Sequence, residues 1–196
     1  MKMNLTRQEQ KIKTKQNLVF ASIDLFSKNG IMATKTVDIA KAIGVSHGTV
    51  FVHFPTKNDL LIEVIDEVGR KMASEFREFG KKELNVKQVL KSHLKVLEKY
   101  EDFYTHLLLD GPNLPGEVRG TLITLQAGIS CYIKSSVKKE EKTGKIRSLP
   151  SHLLFNTWMG LITYYLINRD LFAPDKSVIK AKGDEILNHF LKLIKT

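Results

Sequence analysis

Cysteine is almost absent from this sequence, which contains only Cys131 among its 196 residues. A single cysteine cannot close an intramolecular disulfide, and it cannot supply the several thiolates of a cysteine-based zinc site. The chain is therefore expected to fold without such a staple, as proteins of a reducing compartment do. The six histidines form no pair four residues apart and no HExxH pattern, so we expect no metal site and no cofactor.

Long apolar segments are also missing. The most apolar stretch, residues 153–167, is interrupted by Asn156, Thr157 and Thr163 and falls short of the roughly 18 residues that a membrane span requires. The charged beginning of the chain is not followed by the apolar segment of a signal peptide. The sequence therefore predicts a cytoplasmic protein with no membrane partner.

Catalytic signatures are absent as well. The sequence has no glycine-rich phosphate loop, no nucleophile elbow and no cysteine–histidine arrangement of a thiol enzyme. We therefore expect a protein that is not an enzyme and has no catalytic residues.

Positive charge, in contrast, is abundant and unevenly placed. The formal net charge is +10. Residues 1–57 contain nine basic and three acidic side chains, a net charge of +6, whereas the other 139 residues carry +4. An excess confined to one end of the chain indicates a surface for a polyanion such as nucleic acid, whereas an even spread would more often indicate solubility alone.

Apolar residues recur with a helical period in nearly every segment, and none alternates with the period of a strand. Glycine, proline and capping residues such as Gly30, Ser46 and Pro55 divide the segments. The predicted helices are Thr6 to about Lys28, Thr36 to Ile43, a short one between Ser46 and Pro55, Thr56 to about Phe79, Asn85 to Leu109, Val118 to about Lys139, and about 151–172 and 176–195. Residues 80–82 are expected to form a junction and the polar run 138–151 a mobile linker. We predict an all-α fold.

Residues 35–54, with the sequence KTVDIAKAIGVSHGTVFVHF, have the pattern of a helix-turn-helix. Two short helices that meet at a tight turn need a small residue where they cross and a glycine where the backbone turns, and Ala40 and Gly44 supply these. The apolar residues that would pack the pair on a third helix are Ile39, Ile43, Val45 and Val50. The second helix, about His47–His53, then projects from the body with a width that the major groove of DNA accepts.

This part of the chain resembles the TetR family of transcriptional repressors. The resemblance rests on a long first helix ending in FSKNG, on the segment TVDIAKAIGVSHGTVFVHFPTKNDLL, and on the fourth helix after it. It is specific over about residues 9–69, whereas the remainder matches only in helix count and in the GKIRxLP lead into the penultimate helix. The resemblance implies an N-terminal three-helix DNA-binding domain (9–69) and a larger C-terminal helical domain for effector binding and dimerisation (70–196).

The family pattern, transferred by position, also implies DNA-contacting residues. It places Thr36 and Lys57 on phosphates, at helix beginnings that favour anions. The positions that reach base edges are Ser46, His47, Gly48 and Thr49. Phe51 stands where the family commonly has a tyrosine that bonds a phosphate, and His53 is expected to replace that contact. The structural alternative is a helix cap at Thr36, packing at Phe51 and a plain surface position at His47.

The C-terminal helices carry the candidates for an effector pocket and for a dimer contact. Apolar pockets with a few polar groups between bundle helices are usual ligand sites, and the candidate lining residues are Tyr100, Phe103, Tyr104, Gln126, Cys131, Trp158 and Tyr164. The alternative is that they are ordinary core. The penultimate helix is apolar around nearly its whole circumference, which indicates burial on two sides, one of them against a second copy. The candidate interface residues are Phe155, Ile162, Tyr165, Leu187, Phe190 and Leu191. The alternative is a helix central to a monomeric bundle.

These features together predict a ligand-responsive transcriptional regulator. We expect a repressor that binds double-stranded DNA at a palindromic operator as a homodimer and is released by a small apolar or aromatic effector. The alternatives are a helical small-molecule binding protein and an enzyme, neither of which would bind an operator. Salt-dependent, sequence-selective binding to duplex DNA would separate the first hypothesis from both.

Overall fold

The computed structural model describes residues 6–79 and 84–196, and it describes residues 76–79 by their backbone alone. The helices are α1 Arg7–Asn29, α2 Thr36–Ala42, α3 His47–His53, α4 Lys57–Phe79, α5 Val86–Lys99, α6 Glu101–Asp110, α7 Gly116–Lys142, α8 Ser151–Ile167, the short α9 Arg169–Phe172 and α10 Val178–Ile194. Within the described residues there is no β-strand beyond an isolated bridge between Ile146 and Lys195. The predicted all-α fold is confirmed.

The first three helices pack around one small core and leave α3 at the surface. Phe26 of α1, Ile39 of α2 and Val50 of α3 are almost completely buried. Gly44 lies in the turn between α2 and α3 with a φ of +70°, a conformation that favours glycine. The helix-turn-helix predicted over residues 35–54 is therefore formed, and α4 and α6 pack against α1 on its other sides.

The helix predicted over Asn85–Leu109 is two helices, because the backbone breaks at Tyr100. The break brings the buried carboxylate of Glu101 to the first turn of α10. There it accepts hydrogen bonds from the backbone amides of Val178 at 2.7 Å and Ile179 at 3.1 Å, and from the hydroxyl of Ser177 at 2.5 Å. A carboxylate that satisfies otherwise unpaired helix amides fixes the beginning of α10 against α6.

The segment predicted to be a mobile linker, residues 138–151, is largely ordered by hydrogen bonds. Helix α7 continues to Lys142, and the amide of Arg147 donates to the carbonyl of Ile194 at 3.0 Å. The amide of Leu149 donates to the carboxylate of Glu141 at 3.3 Å. The polar composition of this segment predicts mobility, but composition carries no information about hydrogen bonds to distant parts of the chain. The junction predicted at residues 80–82 lies outside the described residues.

The core of the C-terminal bundle is centred on Trp158, which is fully buried on α8. Its indole Nε1 donates to Nδ1 of the buried His93 at 3.0 Å, and its ring lies 5.1 Å from that of Phe190 on α10. Burial lowers the pKa of His93 to about 4. The imidazole is thus neutral, with Nδ1 accepting from the indole.

Burial also corrects part of the predicted dimer interface. Ile162, Leu187, Phe190 and Leu191 are at most 9 % exposed within a single subunit. They face the subunit's own core, so they cannot contact a second copy without opening that core. The helical period showed that these positions are apolar, but not which neighbour covers them. Phe155 and Tyr165 are only partly buried. No helix in the described part of the chain is long and apolar enough to cross a bilayer.

The buried His93 predicts a loss of stability on acidification. Its pKa is about 4 in the folded chain and near 6.5 when unfolded, so between these values the unfolded state binds more protons and the free energy of unfolding falls as the pH falls. We expect this residue to cost about 2 kcal/mol between pH 7 and pH 5. Urea denaturation at both pH values, with His93→Gln as the non-titrating comparison, measures it. Equal losses in the two proteins would contradict the assignment.

Candidate nucleic-acid interface

Helix α3 is held to the body by its buried side and capped at its beginning. Val50 and the following Phe54 are at most 3 % exposed. The Ser46 hydroxyl oxygen accepts from the amide of Thr49 at 3.2 Å and lies 2.8 Å from the Thr49 hydroxyl. Such a cap stabilises a short helix that has few internal hydrogen bonds of its own.

The opposite side of α3 is open to solvent. Ser46, His47 and Gly48 are exposed, and Phe51 is 44 % exposed. A Cβ added at Gly48 would meet only the Ser46 hydroxyl, at an ordinary 3.9 Å, so packing within the chain does not require a glycine there. Absence of a side chain at an exposed helix beginning permits close approach of another molecule.

Thr36 and His47, from different helices, form a direct pair. Oγ1 of Thr36 lies 2.9 Å from Nε2 of His47. The imidazole also makes an edge-on contact with the ring of Phe51, with 4.9 Å between the ring centroids. The exposed Phe51 therefore forms a wall beside His47, which agrees with the packing alternative for this residue.

Lys57, at the beginning of α4, holds the turn between α1 and α2. Its ammonium donates to the backbone carbonyls of Ile31 at 2.5 Å and Met32 at 3.4 Å. Burial lowers the pKa of Lys57, and the nearby carboxylate of Asp110 opposes that shift. The side chain that was expected to bind a phosphate is thus already bound within the chain. An ammonium has three protons, so one remains for a further acceptor.

The same turn is held from the other side by α6. Oδ2 of Asp110 accepts from the backbone amides of Ile31 at 3.0 Å and Met32 at 3.1 Å. Gly30, just before the turn, has a φ of +85°, and a Cβ there would lie 3.3 Å from Nδ1 of His106 on α6. The C-terminal end of α6 therefore touches the turn that leads from α1 into the helix-turn-helix. No pattern in the sequence marked Asp110 or His106 for this role.

His53 closes α3 near the basic side of α1. Its imidazole is partly buried, and burial together with the charges of Lys11 and Lys15 lowers its pKa. Lys15 itself is ion-paired with Glu63 at 2.5 Å and lies over the ring of Phe54. Part of the positive charge of α1 is therefore neutralised by α4.

The structure does not gather the seven pocket candidates around one cavity. Phe103 stacks on Phe26 of α1, and Trp158 is in the core. Tyr104 and Gln126 do come together, since the amide nitrogen of Gln126 donates to the Tyr104 hydroxyl at 3.2 Å.

The other three candidates lie toward the surface of the bundle. Cys131 and Tyr164 are exposed. Tyr100 lines a polar cavity of about 380 Å³ together with Asp102 and Arg169. Aromatic content alone did not separate core positions from surface positions.

The contact between α6 and the turn predicts a cost for removing the Asp110 carboxylate. Asp110→Ala leaves the amides of Ile31 and Met32 without their charged acceptor, and we expect it to lower the free energy of unfolding by about 2 kcal/mol. Asp184→Ala, which removes an exposed carboxylate from α10, is the matched control and should change stability by less than about 0.5 kcal/mol. Equal effects of the two substitutions in chemical denaturation would remove Asp110 from this role.

Comparison with known proteins agrees with this geometry. The family model described as bacterial regulatory proteins, tetR family, matches residues 18–64, which run from the middle of α1 to the first turns of α4. The HTH-type transcriptional regulator RutR of Escherichia coli K12 is 29 % identical over 158 residues, covering 76 % of this chain and 73 % of RutR.

Solved structures share the fold at lower identity. The regulator FadR of Bacillus subtilis, solved in complex with stearoyl-CoA, has a TM-score of 0.75 and 18 % identity, covering 91 % of this chain and 98 % of FadR. A transcriptional regulator from Saccharomonospora viridis, solved with choline, has a TM-score of 0.75 and 16 % identity, covering 93 % and 95 % of the two chains.

The similar proteins are transcription regulators and not enzymes, which confirms the expectation of a non-enzymatic protein. The family match falls on the segment that forms the helix-turn-helix, and the similarity to RutR covers 76 % of the chain. The chain therefore resembles the tetR family of bacterial regulatory proteins over residues 18–64, and RutR is similar to it over 158 residues.

Proposed function

We propose that this regulator is a cytoplasmic repressor that binds inverted-repeat duplex DNA as a homodimer and is released by a small-molecule effector. The observation that carries the proposal is the exposed side of α3, which is capped, anchored by Val50 and free of acidic side chains. A helix presented in this way can enter a major groove and contact base edges.

The proposed DNA contacts follow the exposed side chains. His47 and Thr49 read base edges, with the bare backbone at Gly48 allowing close approach. Thr36 and Lys57 bind phosphates, which fix the position of the protein on the duplex without reading sequence. The other proposed contacts are Ser46, Phe51 and His53.

The proposed division into a DNA-binding domain (9–69) and an effector and dimerisation domain (70–196) falls inside a continuous helix. Helix α4 runs from Lys57 to Phe79 and so belongs to both. It packs against α1 on one side and against α5 and α7 on the other. A tilt of α4, or a shift of α6 at Asp110, would therefore move the α2–α3 unit.

An uncharged stripe on α8 supports the homodimer. The helix has no charged residue, and one side leaves residues at a regular helical spacing exposed. They are Leu153, Thr157, Gly160, Tyr164 and Ile167. Leu171 of α9 continues the stripe and is 75 % exposed. We propose this face for the interface in place of the four buried residues that helical periodicity predicts. In a two-fold dimer the same face of each copy would cover that of the other.

The effector part of the proposal rests on the fold neighbours and on the α6 contact. Two neighbours were solved with small molecules, stearoyl-CoA and choline. An effector releases DNA only if it binds the DNA-free conformation more tightly. Helix α6 connects the Tyr104–Gln126 pair to the turn at Ile31, so it offers a physical route for that difference.

Enrichment from random duplex DNA tests the proposed function. The full-length chain should retain a subset of a random pool, and the enriched sequences should contain two inverted half-sites about 10 base pairs, or a multiple, apart. A pool that remains random after repeated selection would refute DNA recognition. An enriched site without inverted symmetry would refute the dimeric arrangement.

Lys57→Gln tests the phosphate contacts on that enriched duplex. We expect the slope of log affinity against log salt concentration to flatten by about 0.9, with the preferred sequence unchanged, because one phosphate loses its charged partner. Lys180→Gln, an exposed position on α10, is the control and should leave the slope unchanged. An unaltered slope in Lys57→Gln would restrict Lys57 to its role in the turn.

Tyr164→Glu tests the proposed dimer face. A carboxylate placed without a partner in an apolar contact costs several kcal/mol, about 2 or more, so we expect mainly monomers in sedimentation velocity at micromolar concentration. Leu109→Glu, a similarly exposed apolar position at the end of α6, should remain dimeric. A dimer that tolerates Tyr164→Glu would place the contact on another face.

A further inference from the structure

We propose that Thr36 selects the tautomer of His47 on DNA, so that the pair reads the exocyclic amino group of adenine or cytosine. The inference rests on the proposed function, because it assigns a base class to a contact that exists only if this surface binds DNA. Thr36 is then a positioning residue, and His47 is the residue that touches the base.

The two side chains are held in a fixed relation by the fold. Thr36 is the first residue of α2 and His47 the first of α3, and their Oγ1–Nε2 distance is 2.9 Å. The ring of Phe51 limits rotation of the imidazole from the side. The neighbouring hydroxyls of Ser46 and Thr49 are bonded to one another, so they do not compete for the pair.

The contact with Thr36 engages Nε2 and leaves Nδ1 as the other polar atom of the exposed ring. Among the residues that the structure describes, Thr36 is the hydrogen-bond partner of this imidazole. Nδ1 is therefore the ring nitrogen that can meet a partner outside the chain.

Proton counting then links the two side chains. A neutral imidazole carries one proton and a hydroxyl carries one. If the Thr36 hydroxyl donates to Nε2, Nδ1 carries the ring proton and is a donor. If Nε2 donates to Oγ1, the hydroxyl proton is free for another acceptor, and Nδ1 is an acceptor.

A phosphate beside Thr36 selects the second arrangement. Its oxygens only accept hydrogen bonds, so the Thr36 hydroxyl donates its proton to the phosphate, and Oγ1 accepts a hydrogen bond from Nε2–H, which keeps its proton. Nδ1 then presents a lone pair to the groove. In the major groove the donors are N6 of adenine and N4 of cytosine. The N7 and O6 atoms of guanine and O4 of thymine are acceptors, so their lone pairs would repel the lone pair of Nδ1.

Base substitution in the enriched duplex at pH 8 tests the pairing. Wild type should prefer adenine or cytosine at one position of each half-site by about 10-fold or more over guanine or thymine on the same strand. Thr36→Val, which removes the hydroxyl while keeping the shape, should reduce this discrimination to about 3-fold or less and leave other positions unchanged. Thr36→Ser should restore it. Discrimination that survives Thr36→Val unaltered would overturn the inference.

A measurement on wild-type protein makes the test independent of how the variants fold. The ¹⁵N chemical shifts of the His47 ring in the DNA complex should show a protonated Nε2 and an unprotonated Nδ1. A proton on Nδ1 in that complex would overturn the inference while the proposed DNA binding stands. Failure to enrich any duplex would instead refute the proposed function, and the inference with it.

Discussion

A single turn, residues 30–32, is held by opposite charges from two directions and supports the proposed DNA-binding surface. The carboxylate of Asp110 accepts hydrogen bonds from the backbone amides of Ile31 and Met32, and the ammonium of Lys57 donates to the backbone carbonyls of the same two residues. Charge-assisted hydrogen bonds of this kind are stronger than neutral ones. Because the turn sets the direction in which the chain enters α2, these bonds also set the position of α3. A change at the end of α6 can therefore shift α3 through this turn and α2.

Polar contacts between distant segments locate the elements, while apolar burial supplies most of the driving force. Glu101 at the beginning of α6 and Asp110 at its end are both acceptors for backbone amides of other segments. Helix α6 is thus fixed at one end to the bundle and at the other to the turn before the helix-turn-helix. Its ten residues connect the part of the chain proposed to bind an effector with the part proposed to bind DNA.

Local patterns in the sequence were sufficient for the helix-turn-helix. Its glycine turn, its Ser46 cap and its apolar spacing act over a few residues, so the amino-acid sequence alone predicts the motif over residues 35–54. Contacts between distant segments leave no such pattern in the sequence. Asp110 and Ile31 are 79 residues apart, and an aspartate at a helix end is common. Periodicity also identified the apolar positions of α8 and α10 but could not distinguish Leu187, in the core, from Tyr164, at the surface.

Hydrogen exchange at the backbone amides of Ile31 and Met32 tests most directly whether α6 holds the turn. In the free wild-type chain we expect both amides to be protected, and in Asp110→Ala we expect both to exchange at least about ten times faster, since each loses its acceptor. Amides in the middle of α1, such as that of Val19, should keep their protection and report that the helix is intact. Unchanged protection of Ile31 and Met32 in the variant would contradict the account, because the turn would then be held by something other than Asp110.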